Sequence, residues 1–134
     1  MRAGSGYPKN FKKRELDCNS GGQCPFPDRM RHLAWTLQTI RNTFGSPIRI
    51  NSGYRTPEHN KKVGGVENSQ HVEARAADLA PTSGKKEDLD RLVLVILELA
   101  DAGFIPNGGV GIYRTFVHYD IRPTGAARWG KIHD

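Results

Sequence analysis

Two stretches of the chain repeat apolar residues at helical spacing. Met30, Leu33, Ala34, Leu37, Ile40 and Phe44 fall three or four positions apart, on one face of a helix that Pro27-Asp28 opens. Gly45 stands where a helix end takes a left-handed residue, and Pro47 bars continuation. Ser83 to Gly103 predicts a second helix, with Glu87 and Asp88 at the positive end of its dipole. Leu89, Leu92, Val93, Ile96, Leu99 and Ala100 form its stripe. Val95 and Leu97 widen that stripe, so burial on more than one side is expected. Shorter apolar runs predict strands at Ile48-Arg49-Ile50, at Ala76 to Ala80 ended by Pro81, at Gly109 to Tyr113 and at Thr115 to Arg122. The last two are so close at Arg114 that a hairpin is expected. Ser52 to Pro57 reads as a turn, Pro57 opens a short helix carrying His59 and Asn60, and Val63-Gly64-Gly65-Val66 reads as a loop. Residues 1–26 are rich in Gly, Lys and Asn, and predict an irregular arm ahead of a domain spanning 27–134. The pattern is α+β: two long helices packed on a small antiparallel sheet.

Composition narrows the class. At 134 residues the chain suits one domain with one core, and 37% hydrophobic with 25% charged residues is far from a disordered composition. No apolar run approaches the roughly 20 residues that span a bilayer, so no transmembrane segment is expected. Met1-Arg2-Ala3-Gly4-Ser5 lacks an apolar signal region, so synthesis in the cytoplasm is expected. A net charge of +6 and a pI near 9.6 draw a protein to polyanions without choosing among nucleic acid, membrane and cell wall. The basic residues are scattered apart from Lys12-Lys13-Arg14, Lys61-Lys62 and Lys85-Lys86, with no basic helix or aromatic-basic repeat, so no nucleic-acid partner is expected. Cys18 and Cys24 are compatible with a disulfide, a metal site or two thiols; reduced thiols are the default without a signal peptide.

Candidate chemistry concentrates in two places. Ser69-Gln70-His71 is followed, seven positions after the histidine, by Asp78 on a predicted strand. His118 lies in Phe116-Val117-His118-Tyr119-Asp120, where strand alternation puts Phe116, His118 and Asp120 on one face. Two histidines and a carboxylate are the ligand count of a metal site that keeps one tetrahedral position open, the mark of catalytic rather than structural zinc. Neither spacing is diagnostic taken alone; a satisfied core histidine is the ordinary reading of an isolated His-x-Asp.

Order along the chain adds specificity. Ser52-Gly53-Tyr54-Arg55, His59-Asn60, Gly64-Gly65, Ser69-Gln70-His71, Ala76-Ala77-Asp78 and Val117-His118-Tyr119-Asp120-Ile121-Arg122 together resemble the zinc D-alanyl-D-alanine carboxypeptidase and L-alanyl-D-glutamate endopeptidase family, over about residues 8 to 122. Members of that family cut peptidoglycan stem peptides or cross-links, many are bacteriophage lysins, and the fold is shared with the hedgehog signalling domain. The family pattern Ser-x-His-x-x-Gly-x-Ala-x-Asp departs here only at Ala74, where alanine is strained in any left-handed backbone. The resemblance implies Zn2+ held by His71, Asp78 and His118, and Arg55 placed to hold a substrate carboxylate or carbonyl. Ser69 and Gln70 are implied substrate contacts or site-orienting groups.

The implied reaction is attack of a metal-activated water on an amide carbonyl, with Arg55 stabilising the oxyanion. The base is the departure. Thr115 and Phe116 stand where members carry a proton acceptor, so Asp120 is the substitute, as general base or as a group that orients a ligand. The resulting expectation is a monomeric zinc peptidase acting on bacterial peptidoglycan, a phage endolysin or virion-associated lysin released by a holin or carried in the particle. The alternative is a catalytically silent zinc-binding module that recognises the wall or serves structure. His32, His59 and His133 are expected at surface or capping positions.

Overall fold

The computed structural model describes residues 6–21, 24–66 and 68–132. His133 lies outside them. Among the described residues, four helices and five strands follow in the order α1 (Lys13–Leu16), α2 (Pro27–Phe44), β1 (Ile48–Ser52), α3 (Pro57–Lys62), β2 (Ala76–Pro81), α4 (Lys86–Asp101), β3 (Gly109–Ile112), β4 (Val117–Asp120) and β5 (Ala127–Gly130). This is a mixed α+β architecture with one five-stranded sheet in the order β1-β2-β4-β3-β5. No helix among the described residues is long and apolar enough to cross a membrane.

The predicted stripe of α2 is buried in full, and Gly45 closes the helix at φ +81° with its N–H on the Arg41 carbonyl. Each large apolar side chain buried this way contributes roughly 1.5–3 kcal/mol. The α2 face is wider than its apolar stripe, because Gln38 is also buried. Its amide accepts from the Asn10 N–H at 2.9 Å and donates to Asn10 Oδ1 at 2.7 Å and Asn42 Oδ1 at 2.9 Å. That satisfied amide pins residue 10 onto the helix. The arm is therefore not irregular throughout: it contains α1, and Phe11, Leu16 and Cys18 enter the main core. Isolated apolar residues in a short segment leave no periodicity to read.

α4 begins at Lys86, three positions later than its apolar pattern predicts, because residues 81–84 form a turn with Gly84 at φ +70°. Its buried residues are Leu89, Leu92, Val93, Ile96 and Ala100, with Val95, Leu97 and Leu99 partly covered. β2 is buried along its whole length, with β1 on one side and β4 on the other. Ala77 and Leu79 of β2 and Val117 and Tyr119 of β4 join the main core with the helices. The alternate residues Asp78, His118 and Asp120 point the other way. The hairpin of β3 and β4 forms as expected. The sheet is not wholly antiparallel: β5 adds parallel to β3 at the edge.

Candidate metal centre

Sheet register assembles the site. Ser52 pairs with Asp78, Asp78 with His118, His118 with Gly111, and Gly111 with Trp129. Directly opposed residues share a face, so five strands contribute one transverse row. His71 arrives from the loop before β2, in consecutive turns that return the chain to Ala76. Ser69 Oγ accepts the His71 backbone N–H at 3.1 Å and fixes where that turn starts. The turn carries Ala74 at φ +59°, a left-handed conformation that favours glycine.

His71, Asp78 and His118 are buried, and one ligand atom from each lies within 4.8 Å of the others. Asp78 Oδ1 is 3.2 Å from His71 Nε2 and 3.1 Å from His118 Nδ1. A tetrahedral ion with bonds of about 2.0–2.1 Å sets its ligand atoms about 3.3 Å apart, so the spacing fits a metal of zinc's size. The outward nitrogens strengthen the fit. His71 Nδ1 lies 2.8 Å from the Gly53 carbonyl, and His118 Nε2 lies 2.7 Å from Asp120 Oδ2. With those nitrogens donating, His71 Nε2 and His118 Nδ1 are left as lone pairs facing inward. Gly53 can do this because it lies against α1: a Cβ there would sit 2.6 Å from the Leu16 carbonyl oxygen.

Electrostatics follow from these contacts. Burial alone would raise the Asp78 carboxyl; in the metal-free site, when a proton on the inward nitrogen makes His118 and His71 donors to Asp78 instead of lone-pair ligands, their hydrogen bonds and charge outweigh burial and hold the group well below the usual carboxylate range. Burial disfavours a charged His118, but Asp120 and Asp78 on its two sides raise its pKa. Asp120 is fully buried, and burial is likewise outweighed, here by hydrogen bonds from Arg122 and His118. Its Oδ1 accepts from the Gly109 N–H at 2.9 Å and from Arg122 N and Nε at 3.1 and 2.8 Å. Its Oδ2 accepts from Arg122 Nη2 at 2.7 Å. Asp120 thus shares a strand face with His118 but stands behind it, absent from the cavity wall.

That cavity, about 490 Å³, opens over the three residues. Arg55 reaches it with Nη2 3.6 Å from Asp78 Oδ2, held by Nη1 to Asn60 Oδ1 at 3.2 Å and Nε to Ser52 Oγ at 3.3 Å. Asn60, buried, also donates to the Val66 carbonyl and so ties the Gly64-Gly65 loop to the arginine. Ser69 and Gln70 line the cavity; Gln70 Oε1 itself is buried, with no hydrogen-bond partner among the described residues. Sequence reasoning missed the far wall. Tyr113 and Phe116 stack at 4.4 Å, and Trp129 lies 5.1 Å from the His118 ring. The local alternation of β5 is too short to announce a strand.

Cys18 and Cys24 are free thiols outside this cavity. Cys18 Sγ accepts the Thr56 N–H at 3.4 Å, next to Arg55. His59, expected at a surface or capping position, is the third residue of α3, and the N-cap Thr56 Oγ1 accepts its N–H at 3.1 Å.

Comparison with known proteins agrees with this geometry. The family model described as Peptidase M15 matches residues 9–120, and so ends before Arg122 and β5. The zinc D-Ala-D-Ala carboxypeptidase of Streptomyces albus G is 38% identical over 84 residues, covering 57% of this chain. The aligned part is about a third (33%) of that relative's length.

Proposed function

The chain belongs to the peptidase M15 family, and on that premise we propose that it is a zinc-dependent peptidase hydrolysing an amide bond in the peptidoglycan stem peptide or cross-link. The observation that carries the reading is the convergence of His71 Nε2, Asp78 Oδ1 and His118 Nδ1, each histidine held by its other nitrogen. A bound zinc ion supplies Lewis acidity and makes water a nucleophile near neutral pH.

The remaining steps belong to the chain's own groups. Arg55 presents a guanidinium that Asn60 and Ser52 hold in place, suited to a peptide carboxylate or to the oxygen that gains charge during hydrolysis. Gln70 lines the same cavity and offers an amide to a bound peptide. Ser69 acts through the backbone of His71. Asp120 orients His118 and strengthens it as a ligand; both its oxygens are occupied and its pKa is depressed, which makes it a poor proton acceptor. We assign it that role in place of the general base expected from strand alternation.

The fold proposed with this activity is the one shared with the hedgehog signalling domain, with α2 and α4 packed on the sheet. The setting that suits it is a monomeric phage-type lysin whose +6 charge favours an anionic wall. One observation favours a second reading, a catalytically silent zinc-binding wall module: among the described residues lining the cavity, Asp78 carries the sole carboxylate. Digestion of purified peptidoglycan with and without chelator, with products identified by mass spectrometry, separates the two. Chelator-sensitive release of peptide supports the peptidase. A stoichiometric zinc protein that releases nothing supports the silent module.

A further inference from the structure

Trp129 is placed by an absence. Gly111, its parallel partner on β3, has no side chain, and a Cβ there would overlap the indole ring. The indole therefore lies over Gly111 beside His118, with the Arg122 guanidinium 5.5 Å from its ring. Its Nε1 reaches the Tyr113 hydroxyl at 2.9 Å. An indole N–H can only donate, so the Tyr113 oxygen is the acceptor in this bond. The phenolic proton must then point elsewhere, and no described residue accepts it. Tyr113 lines the cavity, its ring stacked on Phe116 within 9° of parallel, which fixes the plane in which the O–H turns.

We propose that Tyr113 is a substrate-contacting hydrogen-bond donor on the wall opposite Arg55, and that Trp129 is the positioning residue that makes it one by occupying its acceptor side. The proposal rests on the peptidase reading above and extends the site to β5, beyond the residues matched by the family model. The ligand group is an oxygen acceptor of a bound peptide, a backbone carbonyl or a carboxylate. Arg55 and Tyr113 then grip a peptide from two sides of the cavity. The stacked Tyr113 and Phe116 rings and the indole supply an apolar surface for the small side chains of a stem peptide.

The test compares zinc-loaded wild type, Tyr113→Phe, Trp129→Phe and the double variant. The probe is the synthetic stem pentapeptide L-Ala-γ-D-Glu-L-Lys-D-Ala-D-Ala, read as kcat/KM and as Kd by calorimetry, with zinc content and melting temperature as controls. Tyr113→Phe removes only the hydroxyl and should lower kcat/KM or affinity about 10-fold or more, with zinc content unchanged. Trp129→Phe keeps an aromatic ring over Gly111 and should cost about 3- to 10-fold alone. In the Tyr113→Phe background it should cost less than about 2-fold, because a positioning residue has nothing left to position. Tyr113→Phe within about 2-fold of wild type overturns the assignment, as does loss of zinc or melting temperature in that variant. Equal cost of Trp129→Phe in both backgrounds overturns the positioning role. Wild type that neither binds nor cleaves the peptide overturns the peptidase reading, and this assignment with it.

Discussion

Asp120→Asn separates a ligand-orienting carboxylate from a general base. Five donors converge on this fully buried carboxylate: the Gly109 N–H, the Arg122 N–H, Arg122 Nε and Nη2, and His118 Nε2. An asparagine amide keeps one oxygen and turns the other corner into a donor. If the nitrogen replaces Oδ2, it faces His118 Nε2 and Arg122 Nη2, and His118 is pushed to the tautomer that protonates Nδ1, the ligating atom. If it replaces Oδ1, it faces the Gly109 and Arg122 N–H groups and Arg122 Nε. Breaking a buried ion pair from one side costs about 3–5 kcal/mol. The Arg122 side chain is 22% exposed, and water recovers part of its loss, so about 2–4 kcal/mol is expected, out of a total stability of about 5–15 kcal/mol. Zinc affinity should fall about 10- to 100-fold, the usual cost of losing a group that holds a ligating histidine. Urea unfolding of the zinc-free protein measures the first quantity, and competition with a chromophoric chelator the second. An Asp120→Asn protein with wild-type zinc affinity and unfolding midpoint, but turnover down about 10²–10⁴-fold, would show that Asp120 accepts the water proton; the orienting role would then be wrong.

Arg55→Lys keeps the charge but loses the fork that meets Asn60 and Ser52, so kcat/KM should fall at least about 10-fold at full zinc content; loss of zinc, by elemental analysis, would make Arg55 structural. At Ala74, glycine removes a left-handed strain of about 1–2 kcal/mol. It also frees the unfolded chain by about 0.4–1 kcal/mol and removes a buried methyl group worth about 0.8 kcal/mol. Ala74→Gly should therefore unfold within about 1 kcal/mol of wild type, whereas Ala74→Val, β-branched at positive φ in a packed core, should lose about 2–4 kcal/mol in the same urea titration. The pH dependence of the zinc-free protein follows from opposite shifts. Asp78 and Asp120 are depressed, so their stabilisation is present above about pH 3.9 and lost as pH falls through the folded values. His118 is raised, so its contribution is full below about pH 6.5 and lost as pH rises through the folded value. Melting temperature without zinc should peak between about pH 4 and 6.5; a peak above pH 8 would contradict the contacts around His118.

Local chemistry reached far into this protein. Helical periodicity marked α2 and α4 because each buries a continuous stripe, and the missed start of α4 is a turn in which Ser83 and Gly84 satisfy backbone and side chain instead of a helix. Alternation along β4 sufficed to place His118 and Asp120 on one face, and the departure at Ala74 was enough to expect a strained turn. What lay beyond reach was non-local. The row from Ser52 to Trp129 exists through strand register, and ladder hydrogen bonds between main chains carry no residue-type signature. Gly111 reads as an ordinary strand glycine until β5 lays Trp129 across it. Asp120 shows the same limit at the scale of one side chain: alternation gives the face, but Arg122 and the Gly109 N–H decide that its carboxylate turns behind His118 instead of into the cavity. A buried charge goes where its donors are, and those donors are gathered by packing between segments distant in the chain.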